Sequence, residues 1–307
     1  MPNKQLQTHY PLTVVFFASP VYWSEMDDAR RAFDTATAGM PGPPSHWSTR
    51  FVGSEADAQE TAEAVAGIPA VFVALSGGVQ PWMAKAAEGA IAVGVYHGYL
   101  PDSLPEPLPG QLMHRNAHPA STDFFAFLRR SGKTAVWLAS PEELADWQNG
   151  WQATSRLRNA RLLKIGETEP WVINSCRDPA TIRERIGTEV IPVEREALYD
   201  AMRQAPDETV EAHARPWLEG NTGLVEIGRK DILDASRVTA GMERLLAEHK
   251  ADGLSMACFS MIGEVDTTSC LALSSLNSSA SAIGACEGDL DAALSLYFLK
   301  AAGADFV

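Results

Sequence analysis

Short apolar runs rich in β-branched residues alternate along the chain with stretches that are apolar on one helical face only. That alternation predicts parallel strands joined by helices. "LTVVFFA" (Leu12 to Ala18) is apolar throughout, as a strand covered on both faces must be. "SEMDDARRAFDTA" follows with Ser24 as N-cap and Asp27 three residues on, a capping-box start. "HWSTRFV" predicts a second strand. "SEADAQETAEAVAG" is a helix opened by Ser54 and Asp57 and stopped at Gly67. "PAVFVAL" (Pro69 to Leu75) and "AIAVGVY" (Ala90 to Tyr96) are the third and fourth strands.

The four prolines between Leu100 and Gly110 force an extended loop. After it come a helix near "STDFFAFLRR", a strand from Thr134 to Ala139, and a long helix with Ser140 as N-cap and Pro141 in its first turn. That helix reaches about Asn159 and is expected to cross between domains. A second α/β run starts at "RLLKIG" (Arg161 to Gly166). It continues through a strand "TEVIPV" (Thr188 to Val193), a helix "REALYDAMRQA", a helix over roughly Lys230 to Lys250, and a strand "GLSMACF" (Gly253 to Phe259). The last helix places Leu290, Leu294 and Tyr297 on one face and ends at Gly303. The expected fold class is α/β, two Rossmann-like domains with parallel sheets flanked by helices, residues 1–155 and 156–307. The final "ADFV" reads as the start of a further strand, so the chain is expected to be part of a longer protein or to have lost a C-terminal domain.

Apolar residues make up 46% and charged residues 21% of the 307 residues, a normal folded composition. The net charge of −14, with no basic stripe, argues against nucleic acid or an anionic membrane as partner. No apolar run has transmembrane length or the form of a signal peptide, and a cytoplasmic location is expected. Cys176, Cys258, Cys270 and Cys286 lack CxxC spacing and are expected to be free thiols, mostly buried.

The stretch "CLALSSLNSSASAIGACEGDLDAALSLYFLKAAG" (270 to 303) carries the candidate chemistry. Small residues lead abruptly to Glu287, Asp289 and Asp291, and an apolar helix pattern follows at once. Glu264 and Asp266 likewise follow the strand that ends at Phe259. In an open parallel sheet, ligands bind beyond the carboxyl ends of the strands, where both carboxylate pairs fall. Two readings stand. Convergent carboxylates suit a hard cation such as Mg²⁺ or Mn²⁺; acidic residues at a helix start also cap free N–H groups with no other purpose. Weaker candidates are Trp82, expected on a loop after a strand and able to stack on a sugar, His97 at a strand end, and Arg177 and Arg215. "SGG" at Ser76 lacks the lysine and spacing of a P-loop, and no G-x-S-x-G elbow is present.

The 270–303 stretch resembles the metal-ligand segment of the L-fucose isomerase and L-arabinose isomerase superfamily, in which small residues lead into a Cys/Thr-Glu-x-Asp element opening a helix. "RNAHPASTDFFAFLRRSGK", "RNARLLKIG" and "GTEVIPVEREALYDAM" are similar to other segments of that family, though with patterns common to many α/β proteins. The resemblance implies Mn²⁺ (or Mg²⁺) held by Asp289 and Glu264, with Asp266 as the alternative to Glu264. It also implies a proton-transfer role for Glu264 and a small-molecule sugar substrate, for which Trp82, Glu287 and Asn277 are the candidate binding residues. Family enzymes form homo-oligomers whose neighbouring subunits complete each site, and carry a third domain supplying a His ligand. None of His9, His46, His97, His114, His118, His213 or His249 matches that position. The implied function is a metal-dependent aldose–ketose isomerase or its N-terminal two-domain portion. A non-catalytic sugar-binding or regulatory module of the same fold is the alternative.

Overall fold

The computed structural model describes residues 12–23, 47–97, 116–175, 177–220, 226–279 and 282–304. The helix expected from Ser24, the proline-rich loop and Cys176 lie outside them. The described residues divide into two compact units, those up to Trp151 and those from Gln152 onward.

The first unit holds β1 (Leu12–Phe17), β2 (Trp47–Val52), β3 (Pro69–Ala74), β4 (Ala92–Tyr96) and β5 (Ala135–Leu138) in one parallel sheet of order β2-β1-β3-β4-β5. Its helices are α1 (Glu55–Ala64), α2 (Gln80–Ala87) and α3 (Ala117–Arg130), followed by α4 (Pro141–Asn159), which contains the division between the units. The period of two along β1 separates its two faces. Val15 and Phe17 pack with Phe72, Met83 and Phe124, while Val14 and Phe16 pack with Trp23, Tyr96 and Leu144. Each fully buried Phe contributes on the order of 2 kcal/mol of transfer free energy, which makes the central strand the least replaceable element of the unit. Ser54 accepts a hydrogen bond from the Asp57 N–H at 3.2 Å, and the Asp57 carboxylate accepts one from the Gly53 N–H at 3.0 Å, so the start of α1 is capped from both directions. Ser140 accepts from the Glu143 N–H at 3.2 Å ahead of α4.

The second unit repeats the winding with one strand fewer. β6 (Arg161–Ile165), β7 (Glu189–Val193), β8 (Gly253–Met256) and β9 (Ile283–Cys286) form a parallel sheet of order β7-β6-β8-β9. Helices α5 (Pro179–Arg185), α6 (Arg195–Arg203), α7 (Asp207–Glu219), α8 (Arg229–His249), α9 (Ser260–Val265), α10 (Cys270–Ser278) and α11 (Leu290–Ala301) surround it. Leu163, Ile165, Leu254 and Met256 face α6, α8 and α10, while Leu162, Ile283 and Ala285 face α5 and α11.

The small-residue run contains helix α10 and the strand β9, two elements that the apolar pattern does not predict. The small side chains permit close packing: a Cβ on Gly284 would lie 2.7 Å from Leu273 of α10, and one on Gly253 would lie 2.6 Å from Ile283. Asn277 on α10 hydrogen-bonds the Gly284 backbone in both directions, at 2.8 and 2.9 Å. Lys300 of α11 donates to the Asn277 and Ala282 carbonyls at 3.0 and 3.2 Å, neutralising the C-terminal end of α10. Trp82 also differs: it lies in α2, not on a loop. Among the cysteines, Cys258 is buried but Cys270 is exposed.

Candidate functional site

In the second sheet the strand order reverses between β6 and β8, because β7 lies on one side of β6 and β8 on the other. A doubly wound sheet opens its ligand crevice at such a point, beyond the carboxyl ends of the two strands. The loop after β6 (residues 166–175) is stitched to the turn after β9. The Glu169 N–H donates to the Glu287 carbonyl at 3.0 Å, Thr168 Oγ1 to the Gly288 carbonyl at 3.1 Å, and Ser175 Oγ to Asp289 Oδ2 at 2.7 Å. The turn itself is left-handed at both Glu287 (φ 63°) and Gly288 (φ 70°). Only glycine fits the second position, since a Cβ there would sit 2.8 Å from the Thr168 Cα.

Asp289 is the N-cap of α11. Its Oδ1 accepts from the Ala292 N–H at 2.8 Å while Oδ2 takes the Ser175 hydroxyl. The capping reading of this carboxylate is therefore realised. Asp291, one residue into the helix, pairs with Arg177 at 2.5 Å. Glu287 contributes its carbonyl to the loop contact, and its side chain is half-buried.

Glu264 sits on α9 and turns to the far side of the crevice, toward α6. Tyr199 Oη donates to its Oε2 at 2.5 Å, and Arg195 Nη1 lies 3.2 Å from its Oε1. Burial, followed by the Glu264 carboxylate, raises the Tyr199 phenol well above its ordinary range, so Tyr199 stays a proton donor. Asp266 ends α9 in a left-handed conformation (φ 53°) and is exposed; its charge acts on Lys230. Asn277 directs its amide to Gly284, as described.

Glu169 went unremarked in the sequence. It is 6% exposed, and its Oε1 accepts from the Phe259 N–H at 3.0 Å, tying the β6 and β8 loops together across the strand reversal. The placement rule that singled out Glu264 and Glu287 also applies to "GETEP" after β6, and would have found it. Cys258, just past β8, and Cys286, the last residue of β9, have their Sγ atoms 3.2 Å apart. Burial, then the Cys258 thiol, pushes Cys286 up to about 12.

Trp82 and His97 lie in the first unit. Trp82 lines a groove of about 540 Å³ between helices, with Phe127, Lys85 and Lys133. His97, at the carboxyl end of β4, meets the His118 ring at a centroid distance of 3.7 Å. Burial, then His118, lowers His97 to about 4, so it is neutral at pH 7. Ser76 accepts from the Ser19 N–H at 2.7 Å, closing the β1/β3 loops rather than cradling an anion. Arg215 is exposed on α7.

Glu264 and Asp289 engage different partners, and among the described residues no group of three or more His, Cys, Asp or Glu side chains is arranged to hold a metal ion. In this arrangement each of their four carboxylate oxygens accepts one protein hydrogen bond, which leaves lone pairs for a cation but no third side-chain ligand among the described residues. No helix of the described residues is long and apolar enough to cross a membrane.

No family model matches the sequence. Over 200 residues, 62% of this chain, it is 26% identical to the sulfoquinovose isomerase of Alkalicoccus urumqiensis. The match spans 41% of that protein's length.

Proposed function

We propose that the protein acts in the interconversion of an aldose and a ketose, either as a sugar isomerase or as the two-unit portion of one. The similarity to sulfoquinovose isomerase carries this reading, and sulfoquinovose is accordingly the first substrate to test. The fold is compatible with it, because the carboxylates lie at the carboxyl ends of parallel strands, where α/β sheets bind ligands.

In this reading Glu264 is the proton-transfer carboxylate. It removes the proton from the carbon beside the carbonyl and returns it to the former carbonyl carbon, while the hydroxyl proton moves between the two oxygens. The balance needs no oxidant. Arg195 Nη1 and the Tyr199 hydroxyl each hold one Glu264 oxygen and so fix the orientation of the carboxylate. Mn²⁺ is the expected cofactor, with Asp289 as a ligand through the lone pairs that its Ser175 and Ala292 bonds leave open. The involvement of every Glu264 and Asp289 oxygen with protein partners favours a second reading, a sugar-binding module without turnover.

Incubation with candidate aldoses in D₂O containing Mn²⁺, followed by NMR, separates the two. Deuterium incorporation beside the carbonyl, lost in Glu264→Gln, is the expected result. Sugar binding without exchange would overturn the isomerase reading in favour of the module.

A further inference from the structure

The second unit leaves four large apolar side chains in solvent around the β6/β8 reversal: Trp171 (53% exposed), Ile173 (86%), Phe259 (51%) and Ile262 (52%). Trp171 and Ile173 belong to the loop after β6, and Phe259 and Ile262 to the segment after β8. Trp171 and Phe259 meet edge to face, with centroids 5.1 Å apart and planes at 86°.

These rings are held in place. The buried Glu169 carboxylate binds the Phe259 N–H, and the Glu169 carbonyl accepts from the Val172 N–H at 3.0 Å. The Glu169 N–H is in turn fixed to the Glu287 carbonyl. Folding thus leaves two aromatic rings half in water on a braced backbone. Clustered exposure of this kind marks a binding surface.

The chemistry around the rings selects the occupant. The turn after β9, stitched to the Trp171 loop through the Glu169 N–H, brings the half-buried Glu287 to the same end of the sheet, so the flat apolar faces have a carboxylate nearby. A lipid or a purely apolar helix leaves that carboxylate unanswered. A polyhydroxylated ligand with one apolar C–H face answers both, stacking on a ring and donating hydroxyl hydrogen bonds at its edge.

We infer that Trp171 and Phe259 form an aromatic platform at the β6/β8 crevice that stacks against the C–H face of a neutral sugar or the sugar portion of a substituted one. The inference rests on the sugar reading above and assigns that site its stacking residues. It differs from the sequence expectation, which placed aromatic recognition at Trp82.

The test is titration of the full chain with a panel of aldoses, sulfoquinovose included, by saturation-transfer NMR and calorimetry, in wild type, Trp171→Ala, Trp171→Phe and Phe259→Ala. The expected result is an affinity loss of about tenfold in Trp171→Ala and a smaller one in Phe259→Ala, with Trp171→Phe near wild type and circular dichroism unchanged throughout. Equal binding by wild type and Trp171→Ala would overturn the platform and leave the sugar reading intact. Absence of binding by wild type at tens of millimolar would overturn both. A wild-type dimer that Trp171→Ala converts to monomer would make the patch a subunit interface and also overturn the proposal.

Discussion

Asp289→Ala removes two hydrogen bonds that the structure assigns to one side chain, the cap on the Ala292 N–H at 2.8 Å and the acceptor for Ser175 at 2.7 Å. An N-cap is worth about 1 kcal/mol, and a half-exposed hydroxyl-to-carboxylate bond about 1 more, giving a cost of about 2 kcal/mol. Asp289→Asn keeps an acceptor for the cap and an amide for Ser175, so it should cost about 0.5 kcal/mol. Ser175→Ala removes one bond only, about 1 kcal/mol, and the double variant should show a coupling of similar size. Urea unfolding in chelator-containing buffer, followed by tryptophan fluorescence and circular dichroism, reads these values. With a slope of about 2 kcal/mol per molar urea, Asp289→Ala should move the midpoint of the second unit down by about 1 M. A shift below about 0.3 M, or an Asn variant as damaged as the Ala variant, would refute the two-bond account. Repeating the series with Mn²⁺ then separates cap from ligand. A metal-dependent gain in stability seen in wild type and absent from Asp289→Asn would show that the carboxylate binds the ion as well.

Gly288→Ala should cost about 2 kcal/mol or more, because the left-handed backbone penalises a side chain and its Cβ would meet the Thr168 backbone; an unfolding midpoint equal to wild type would contradict the turn geometry. Tyr96, Tyr199 and Tyr297 are all raised above the ordinary value of 10.0, mainly by burial. The unfolded chain then loses its phenolic protons first, so stability should fall as pH rises from about 10, with absorbance at alkaline pH showing delayed ionisation. His97 behaves in the opposite sense. Its folded value of about 4 lies below the ordinary 6.5, so the unfolded chain binds the proton first and the first unit should lose stability as pH falls from 6.5 toward 4. His97→Phe should flatten that acid limb, and an unchanged limb would show that His97 is not responsible.

What the sequence determined by itself is whatever depends on neighbours along the chain. The apolar runs of β1 and β3, the Ser54 and Ser140 caps, and the Asp289 cap all follow from residues within a few positions of one another. A period of two or 3.6 and a hydroxyl or carboxylate at a helix start are local signals, and they were legible. The strand β9 was not, because "IGAC" has small residues where a strand usually shows branched ones; its place is secured by Asn277, Lys300 and the close approach of α10. Only the tertiary structure decided which carboxylates meet which partners. Ser175 reaches Asp289 across 114 residues, Glu169 reaches Phe259 across 90, and Tyr199 reaches Glu264 across 65. Those pairings follow from the parallel order β7-β6-β8-β9, which brings the segments after all four strands to one end of the sheet. Strand order is set by how whole helices cover both faces of the sheet. No short window of sequence records it, so the acidic positions were visible in the chain while their partners were not.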